Sequence, residues 1–181
     1  MDESGFMLQP LVRRTWAKRG RTPVLKAWDR HDRLTVVTAL VYEPHRRQQC
    51  SMYFQLQRRN ANAASFVWFL TQLRKELRNQ MVVIWDRLAA HRRTQKLFEQ
   101  LEFPWASFEY LPAYCPQLNP VEHVWATTKY GRLANWPAPD IDQLTNRLTS
   151  EFEKQQAEQQ LLRSHFKWAK LELNTDTLLA Q

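Results

Sequence analysis

The chain has 181 residues, 44% of them hydrophobic, and its 26 Lys and Arg against 18 Asp and Glu give a net charge of +8. This length and hydrophobic content suit one domain with a substantial core, and the positive charge favours a polyanionic partner. No apolar run approaches the length of a membrane span and the N-terminus is acidic, unlike a signal peptide, so we expect a cytoplasmic protein without membrane contact. Cys50 and Cys115 stand far apart, which indicates neither a disulfide framework nor a zinc site.

The hydrophobic pattern of the first half predicts strands around one helix. Residues 34–42 are β-branched and almost wholly apolar, as in a central strand, whereas residues 50–56 alternate apolar and polar side chains, as in a half-exposed strand. Apolar residues at helical spacing predict an amphipathic helix over residues 63–80. A continuous apolar run over residues 81–85 then predicts a strand buried on both faces.

The second half continues with further helices and one strand, which we expect over residues 91–101, 107–111, from 119 onward and 141–163. The whole order predicts an α/β protein with an RNase H-like fold, in which a mixed central sheet is flanked by helices. We expect residues 1–135 to form the core of this fold. Residues 136–181 are expected to be a C-terminal helical extension of the same domain.

Two acids occupy positions that suit catalysis. Asp86 ends the apolar run over residues 81–85, and Glu122 lies near the start of a later helix. Carboxylates that converge from a strand end and a helix start can hold Mg²⁺ or Mn²⁺ for phosphoryl transfer. Each acid also has a structural alternative: Asp86 suits a turn or a helix N-cap, and Asn119 with Glu122 has the spacing of a capping box.

Three sequence blocks resemble the catalytic blocks of DDE transposases, in the form found in bacterial insertion-sequence relatives of the mariner superfamily. The second block is Asp-Arg-Leu-Ala-Ala-His over residues 86–91, and the third is Leu-Pro-Ala-Tyr-Cys-Pro-Gln-Leu-Asn-Pro-Val-Glu-His-Val-Trp over residues 111–125. Residues 2–6, followed by the basic segment 14–23, resemble the first block. The order and spacing of the three blocks make the resemblance far more specific than one block would.

The resemblance implies an enzyme that cuts and transfers DNA strands in transposition. Asp2, Asp86 and Glu122 would be its catalytic acids and would hold two divalent ions, Mg²⁺ or Mn²⁺, about 3.5 to 4 Å apart as in other two-metal sites. Such an enzyme activates a water and then a freed 3′-OH as nucleophiles and needs no covalent intermediate. The partners implied are transposon ends and target DNA.

Basic residues near the expected site are candidates for contacts with the DNA backbone. They are Arg13, Arg14, Lys18, Arg19, Arg21, Arg92 and Arg93, and His91 is a further candidate that could instead orient Asp86. Contacts of this kind hold phosphates without recognising base sequence. We therefore expect DNA binding that is indifferent to sequence and sensitive to salt.

The resemblance places the first acid on a central strand, with apolar residues and a helix-turn-helix region before it, whereas only Met1 precedes Asp2. From this we expect a loosely held first acid, low activity for the chain by itself, and a DNA-binding region encoded by an upstream frame. Glu3 could compete with Asp2 for the same ion. Relatives generally act as dimers, which implies a homodimer.

Two other interpretations of the chain remain open. The first is an inactive transposase remnant that at most binds DNA without specificity, an interpretation favoured by the missing upstream residues and opposed by the intact acids. The second is another RNase H-like nuclease, such as a resolvase or a hydrolase of RNA strands. The third block, over residues 111–125, argues against that alternative.

Overall fold

In the computed structural model of the chain, the described residues are 1–9, 11–26, 32–43 and 49–173. They form five strands and five α-helices in a mixed α/β order. The strands are β1 (Asp2–Met7), β2 (Arg33–Glu43), β3 (Gln49–Gln57), β4 (Met81–Trp85) and β5 (Ala106–Tyr110). The helices are α1 (Ala63–Leu77), α2 (Ala89–Gln100), α3 (Pro120–Ala126), α4 (Ile141–Ala157) and α5 (Gln159–Trp168), with a 3-10 turn at Pro116–Leu118 and a π-helical turn at Thr127–Arg132.

The strands form two sheets that meet where β1 lies beside β4. β1, β2 and β3 are antiparallel in that order, and β4 pairs with β5 in parallel. The backbone nitrogen of Met1 donates a hydrogen bond to the carbonyl of Ile84 at 2.8 Å, which brings the start of β1 against β4. Asp2 on β1 and Asp86 after β4 are thereby brought to the same region of the molecule.

Hydrophobic clusters cover both faces of the β1–β3 sheet because β2 alternates between them. Val36 points into a cluster with residues of α3, α4 and α5, and Val37 points into a cluster with residues of α1, α2 and β4. Both side chains are fully buried, as expected for a central strand. The β1–β3 sheet therefore lies between two layers of helices.

β4 differs from the strand that the sequence predicts, since it is buried on only one face. Val83 and Trp85 are buried against α1 and α2, whereas Val82 is 65% exposed and Ile84 50% exposed. Within the described ranges no element covers the second face, so the apolar run here does not mark burial on both sides. The strand itself has the predicted bounds.

The C-terminal helical region is two helices rather than the single helix predicted over 141–163. Glu158 has φ −91° and ψ 85°, which is outside the helical region, and the chain turns there between α4 and α5. Because of this turn, Phe152 of α4 and Phe166 of α5 both reach the cluster that contains Phe6 and Trp125. The helices after residue 136 therefore share a core with β1 and α3.

Candidate catalytic site

Asp2 is held firmly, contrary to the loosely held acid that the sequence predicts. It is the first residue of β1, opposite Thr38 of β2. Oδ1 of its carboxylate accepts from the backbone N–H of Glu3 at 2.8 Å, and Oδ2 accepts from Asn119 Nδ2 and from Trp125 Nε1, both at 3.1 Å. Three donors, from β1, from α3 and from the N-cap residue of α3, thus fix this carboxylate in position.

The surroundings of Asp2 oppose its negative charge. Burial is the main reason that the pKa of Asp2 is raised to about 6. The hydrogen bond from Trp125 and the charge of the N-terminal amino group lower this pKa, and the charges of Glu122 and Glu3 raise it. An ionised Asp2 at neutral pH is therefore a desolvated anion near other anions. A cation at this position would relieve both effects.

Asp86 lies in the loop between β4 and α2, and its side chain is 55% exposed. Its Oδ1 accepts from the backbone N–H of Leu88 at 2.9 Å and lies 2.6 Å from Nδ1 of His91. The hydrogen bond from Leu88 is typical of a turn stabilised by an aspartate side chain. A turn is the structural role that the sequence offered for Asp86 as an alternative to catalysis. Among the residues that the structure describes, no donor contacts Oδ2.

His91 is buried in α2 and connects two acids. Its ring stacks on Trp85 with centroids 4.4 Å apart and planes 8° apart, and Nε2 lies 3.0 Å from Oε2 of Glu3. Burial by itself lowers the pKa of His91, but the hydrogen bond and charge of Glu3, together with the charge of Asp86, outweigh burial and raise it. Neither ring nitrogen of His91 faces the solvent. In this position the side chain is not placed for the DNA contact that was considered from the sequence.

Glu122 is in the first turn of α3, and it does not form the capping box that its spacing suggests. Asn119 caps the helix by accepting from the N–H of Val121 at 3.2 Å, while the N–H of Asn119 itself donates to the carbonyl of Pro116 at 2.9 Å. Burial raises the pKa of Glu122, the charge of Asp86 raises it further, and Lys129 lowers it. The carboxylate of Glu122 therefore takes no part in capping α3.

Lys129 is a site residue that the sequence reasoning did not identify. Its Nζ donates to Oγ of Ser4 at 2.7 Å and lies 5.0 Å from the centre of the Phe6 ring. Burial lowers the pKa of Lys129, and the charges of Glu122 and Asp2 raise it. Lys129 lies seven residues after Glu122, which corresponds to two helical turns. This spacing in the sequence could have indicated that the two side chains share one face of a helix.

The charges of the three acids interact: Glu122 influences the pKa of Asp2, and Asp86 influences that of Glu122. Their oxygen donors suit a hard divalent cation such as Mg²⁺ or Mn²⁺, and burial raises the pKa values of Asp2 and Glu122. In the described ranges, however, no three His, Cys, Asp or Glu side chains are placed so that they could already hold a metal ion. The donors fit such an ion chemically, and binding it would require side-chain movement.

The basic residues proposed from the sequence lie in two exposed places. Arg14, Lys18, Arg19 and Arg21 are exposed in the segment 11–26, which contains neither helix nor strand, and Arg92 and Arg93 are exposed in the first turns of α2. Arg13 anchors the segment, because its N–H donates to Asn135 Oδ1 at 2.7 Å and its Nη1 donates to the carbonyl of Tyr130 at 2.6 Å. The two places carry positive charge on the surface and have no described contact with the acids.

The arrangement of strands, helices and acids defines an RNase H-like core of the nuclease type, with carboxylates on β1, after β4 and at the start of α3. The model of the DDE superfamily endonuclease family matches residues 1–145, and the chain belongs to this family. No helix in the described part of the chain is long and apolar enough to cross a membrane.

Solved structures of Mos1 transposase have the same fold. A Mos1 paired-end complex with the left transposon end aligns with a TM-score of 0.62 at 16% identity, over 93% of this chain and 50% of that chain. The Mos1 mariner paired-end complex with Mn aligns with a TM-score of 0.62 at 18% identity, over 93% and 51%. The chain thus spans about half the length of these proteins. No curated protein matches it by sequence.

Proposed function

We propose that the chain is the catalytic core of a transposase of the insertion-sequence type, which cleaves DNA strands at transposon ends and joins them to target DNA. The observation that supports this proposal is that three acids from separate elements, Asp2, Asp86 and Glu122, lie near enough for Glu122 to affect the pKa of Asp2 and for Asp86 to affect that of Glu122. Membership of the DDE superfamily endonuclease family supports it. The similarity in fold to Mos1 complexes with a transposon end supports DNA as the partner.

Asp2, Asp86 and Glu122 would hold the divalent ions. Bound Mg²⁺ or Mn²⁺ supplies Lewis-acid activation of the attacking oxygen and stabilises charge on the leaving oxygen. Asn119 and Trp125 keep the Asp2 carboxylate in place through their hydrogen bonds to Oδ2. These hydrogen bonds hold Asp2 before substrate binds, so the side-chain movement that an ion requires need not begin at Asp2.

Positive side chains would position the DNA backbone beside this edge. Exposed arginines and lysines in segment 11–26, together with Arg92 and Arg93 on α2, suit phosphate contacts because guanidinium and ammonium groups pair with phosphate without reading bases. A homodimer and a separate DNA-recognition region encoded upstream would complete the complex, by analogy with the family.

The first test is metal binding by the wild type and by three substitutions. Asp86→Asn and Glu122→Gln keep the size of each side chain but remove its charge, and we expect each to weaken Mn²⁺ binding about tenfold or more in calorimetric titration. Glu76→Gln, at an exposed position of α1, is the matched control and should leave affinity unchanged. Equal affinity in all four proteins would refute the assignment of the acids.

The second test separates this proposal from its alternatives. With Mn²⁺, the wild type should nick supercoiled plasmid DNA, and Asp86→Asn should not. Metal binding without nicking of any nucleic acid would favour the inactive remnant. Preferential cleavage of the RNA strand in an RNA–DNA hybrid would favour another RNase H-like nuclease.

A further inference from the structure

One imidazole connects two acids that come from different parts of the fold. Nδ1 of His91 lies 2.6 Å from Asp86 Oδ1, and Nε2 lies 3.0 Å from Glu3 Oε2. Asp86 follows β4, Glu3 is in β1 and His91 is in α2. The two contacts of His91 therefore link α2 to β1 and to the end of β4. Glu3, which the sequence suggested as a competitor of Asp2 for an ion, is thereby a partner of His91.

Packing fixes the ring of His91 independently of its hydrogen bonds. The side chain is 1% exposed, it stacks on Trp85, and the edge of Phe66 lies against it with centroids 4.8 Å apart. A rotation of the imidazole would break this stacking and both contacts with the acids. The nitrogen that faces Asp86 is therefore held at a defined position.

The Asp86 carboxylate is constrained on one side only. Leu88 and His91 both contact Oδ1, whereas no donor in the described ranges contacts Oδ2. Because the side chain is half exposed, these two contacts are what limits its rotation. They fix the orientation of the carboxylate and leave Oδ2 without a donor among the described residues.

We propose that His91, braced by Glu3, is a positioning residue that holds Asp86 Oδ1 so that Oδ2 is presented to a divalent cation. This inference rests on the proposed function, since it assumes that Asp86 is a metal ligand. Groups that hydrogen-bond to metal ligands typically change metal affinity by about 10- to 100-fold when removed. His91 acts through Asp86 and touches neither substrate nor metal.

Two substitutions at His91 separate positioning from packing. Asn places its amide nitrogen near the position of Nδ1 and retains the contact with Asp86, whereas Gln places its amide nitrogen near Nε2 and retains the contact with Glu3. Both remove the ring and its stacking on Trp85, so their losses of thermal stability should be similar. We expect His91→Asn to bind Mn²⁺ within about threefold of wild type and His91→Gln to bind about tenfold more weakly or worse.

Variants of Glu3 test the contact between Glu3 and His91 while the imidazole ring stays in place. Glu3→Gln retains an acceptor for Nε2 and should keep Mn²⁺ affinity near that of the wild type, whereas Glu3→Leu removes the acceptor and should weaken it severalfold. A tenfold loss in Glu3→Gln would show that Glu3 is itself a metal ligand and would overturn the proposal. These variants decide the question even where a buried substitution at His91 prevents folding.

The outcomes for this inference differ from those for the proposed function. Loss of Mn²⁺ binding in Asp86→Asn, with equal binding by the Asn and Gln variants of His91, would overturn the inference alone. Absence of Mn²⁺ binding in the wild type would refute the proposed metal site. Crystal structures of the metal-free wild type and His91→Gln then decide the positioning role, since the Asp86 carboxylate should change orientation in the variant, and an unchanged orientation would overturn it.

Discussion

Asp2 and His91 are polar side chains of the site, partly and fully buried respectively, that have specific polar partners, and these partners influence their charge states. Asp2 accepts three hydrogen bonds and His91 makes two contacts with acids, so both retain polar partners after leaving water. His165 is different. It is fully buried, its Nδ1 lies 2.7 Å from Nδ1 of His123, and within the described residues its Nε2 has no hydrogen-bond partner.

The pKa of His165 predicts a loss of stability in acid. Burial, with smaller effects of His123 and Arg132, lowers it from 6.5 to about 4. Between these values the unfolded chain binds a proton at this residue and the folded chain does not, so the free energy of unfolding falls as the pH falls from about 6.5 to about 4. This residue should account for a loss of about 3 kcal/mol.

The measurement is urea unfolding at pH 7.5 and pH 4.5 for the wild type and His165→Asn. Asn retains an amide near the position of Nδ1 but does not titrate in this range. The variant should therefore lose less stability on acidification than the wild type, while carboxylate effects elsewhere are common to both proteins. An identical loss in both would show that His165 is not the responsible group.

At the scale of elements, helices α4 and α5 protect the edge of the antiparallel sheet. β3 is an edge strand of the β1–β3 sheet, and the side chains of Gln156 and Gln159 donate to the carbonyls of Met52 and Cys50 at 2.7 and 2.8 Å. The break at Glu158 places one of these glutamines at the end of each helix. Occupied edge carbonyls are less available for pairing with another chain.

Replacing both Gln156 and Gln159 by Ala should expose this edge. We expect a loss of about 1 to 3 kcal/mol in the free energy of unfolding, since two hydrogen bonds to the backbone disappear, and greater aggregation on heating. Chemical denaturation and light scattering measure the two effects. Gln160→Ala, at an exposed position of α5, is the control and should match the wild type.

At the scale of the whole molecule, the charge of +8 is concentrated in part on the exposed segment 11–26. This segment connects β1 to the rest of the chain, and it is attached to the body through Arg13, Asn135 and the carbonyl of Leu11. Trp16 in the same segment is fully exposed, with basic residues on either side. Such a surface suits a nucleic acid, whose backbone attracts the cations and whose bases can stack on an aromatic ring.

Salt dependence of DNA binding tests whether this segment contacts phosphates. Arg19→Ala with Arg21→Ala removes two charges, and the slope of log K against log salt should become shallower by about 1.8 if both contact duplex DNA. Lys75→Ala with Lys167→Ala removes the same charge from exposed positions of α1 and α5. If the two pairs of substitutions change the slope equally, net charge and not the segment determines binding.

The sequence by itself determined the order of the elements and the acids of the candidate site. Its hydrophobic periodicity predicted β4 at its observed bounds and the start of α1, because burial on one helix face or one strand face repeats at a fixed spacing. The predicted end of α1 at residue 80 was wrong, since the helix ends at Leu77 and Arg78 caps it in a left-handed conformation. The family resemblance over the first part of the chain is confirmed by the match over residues 1–145. Local patterns were sufficient for these conclusions because each depends on neighbours in the sequence.

Only the tertiary structure decided which residues surround the acids. Asn119 and Trp125 reach Asp2 from more than a hundred residues away, and Lys129 reaches Ser4 in the same manner, so no local pattern relates these partners. The burial of His91, the exposure of Ile84 and the break at Glu158 likewise depend on which helices pack on each face of the sheets. Packing over long sequence separation therefore fixed the geometry of the site, which the sequence could identify only as a set of residues.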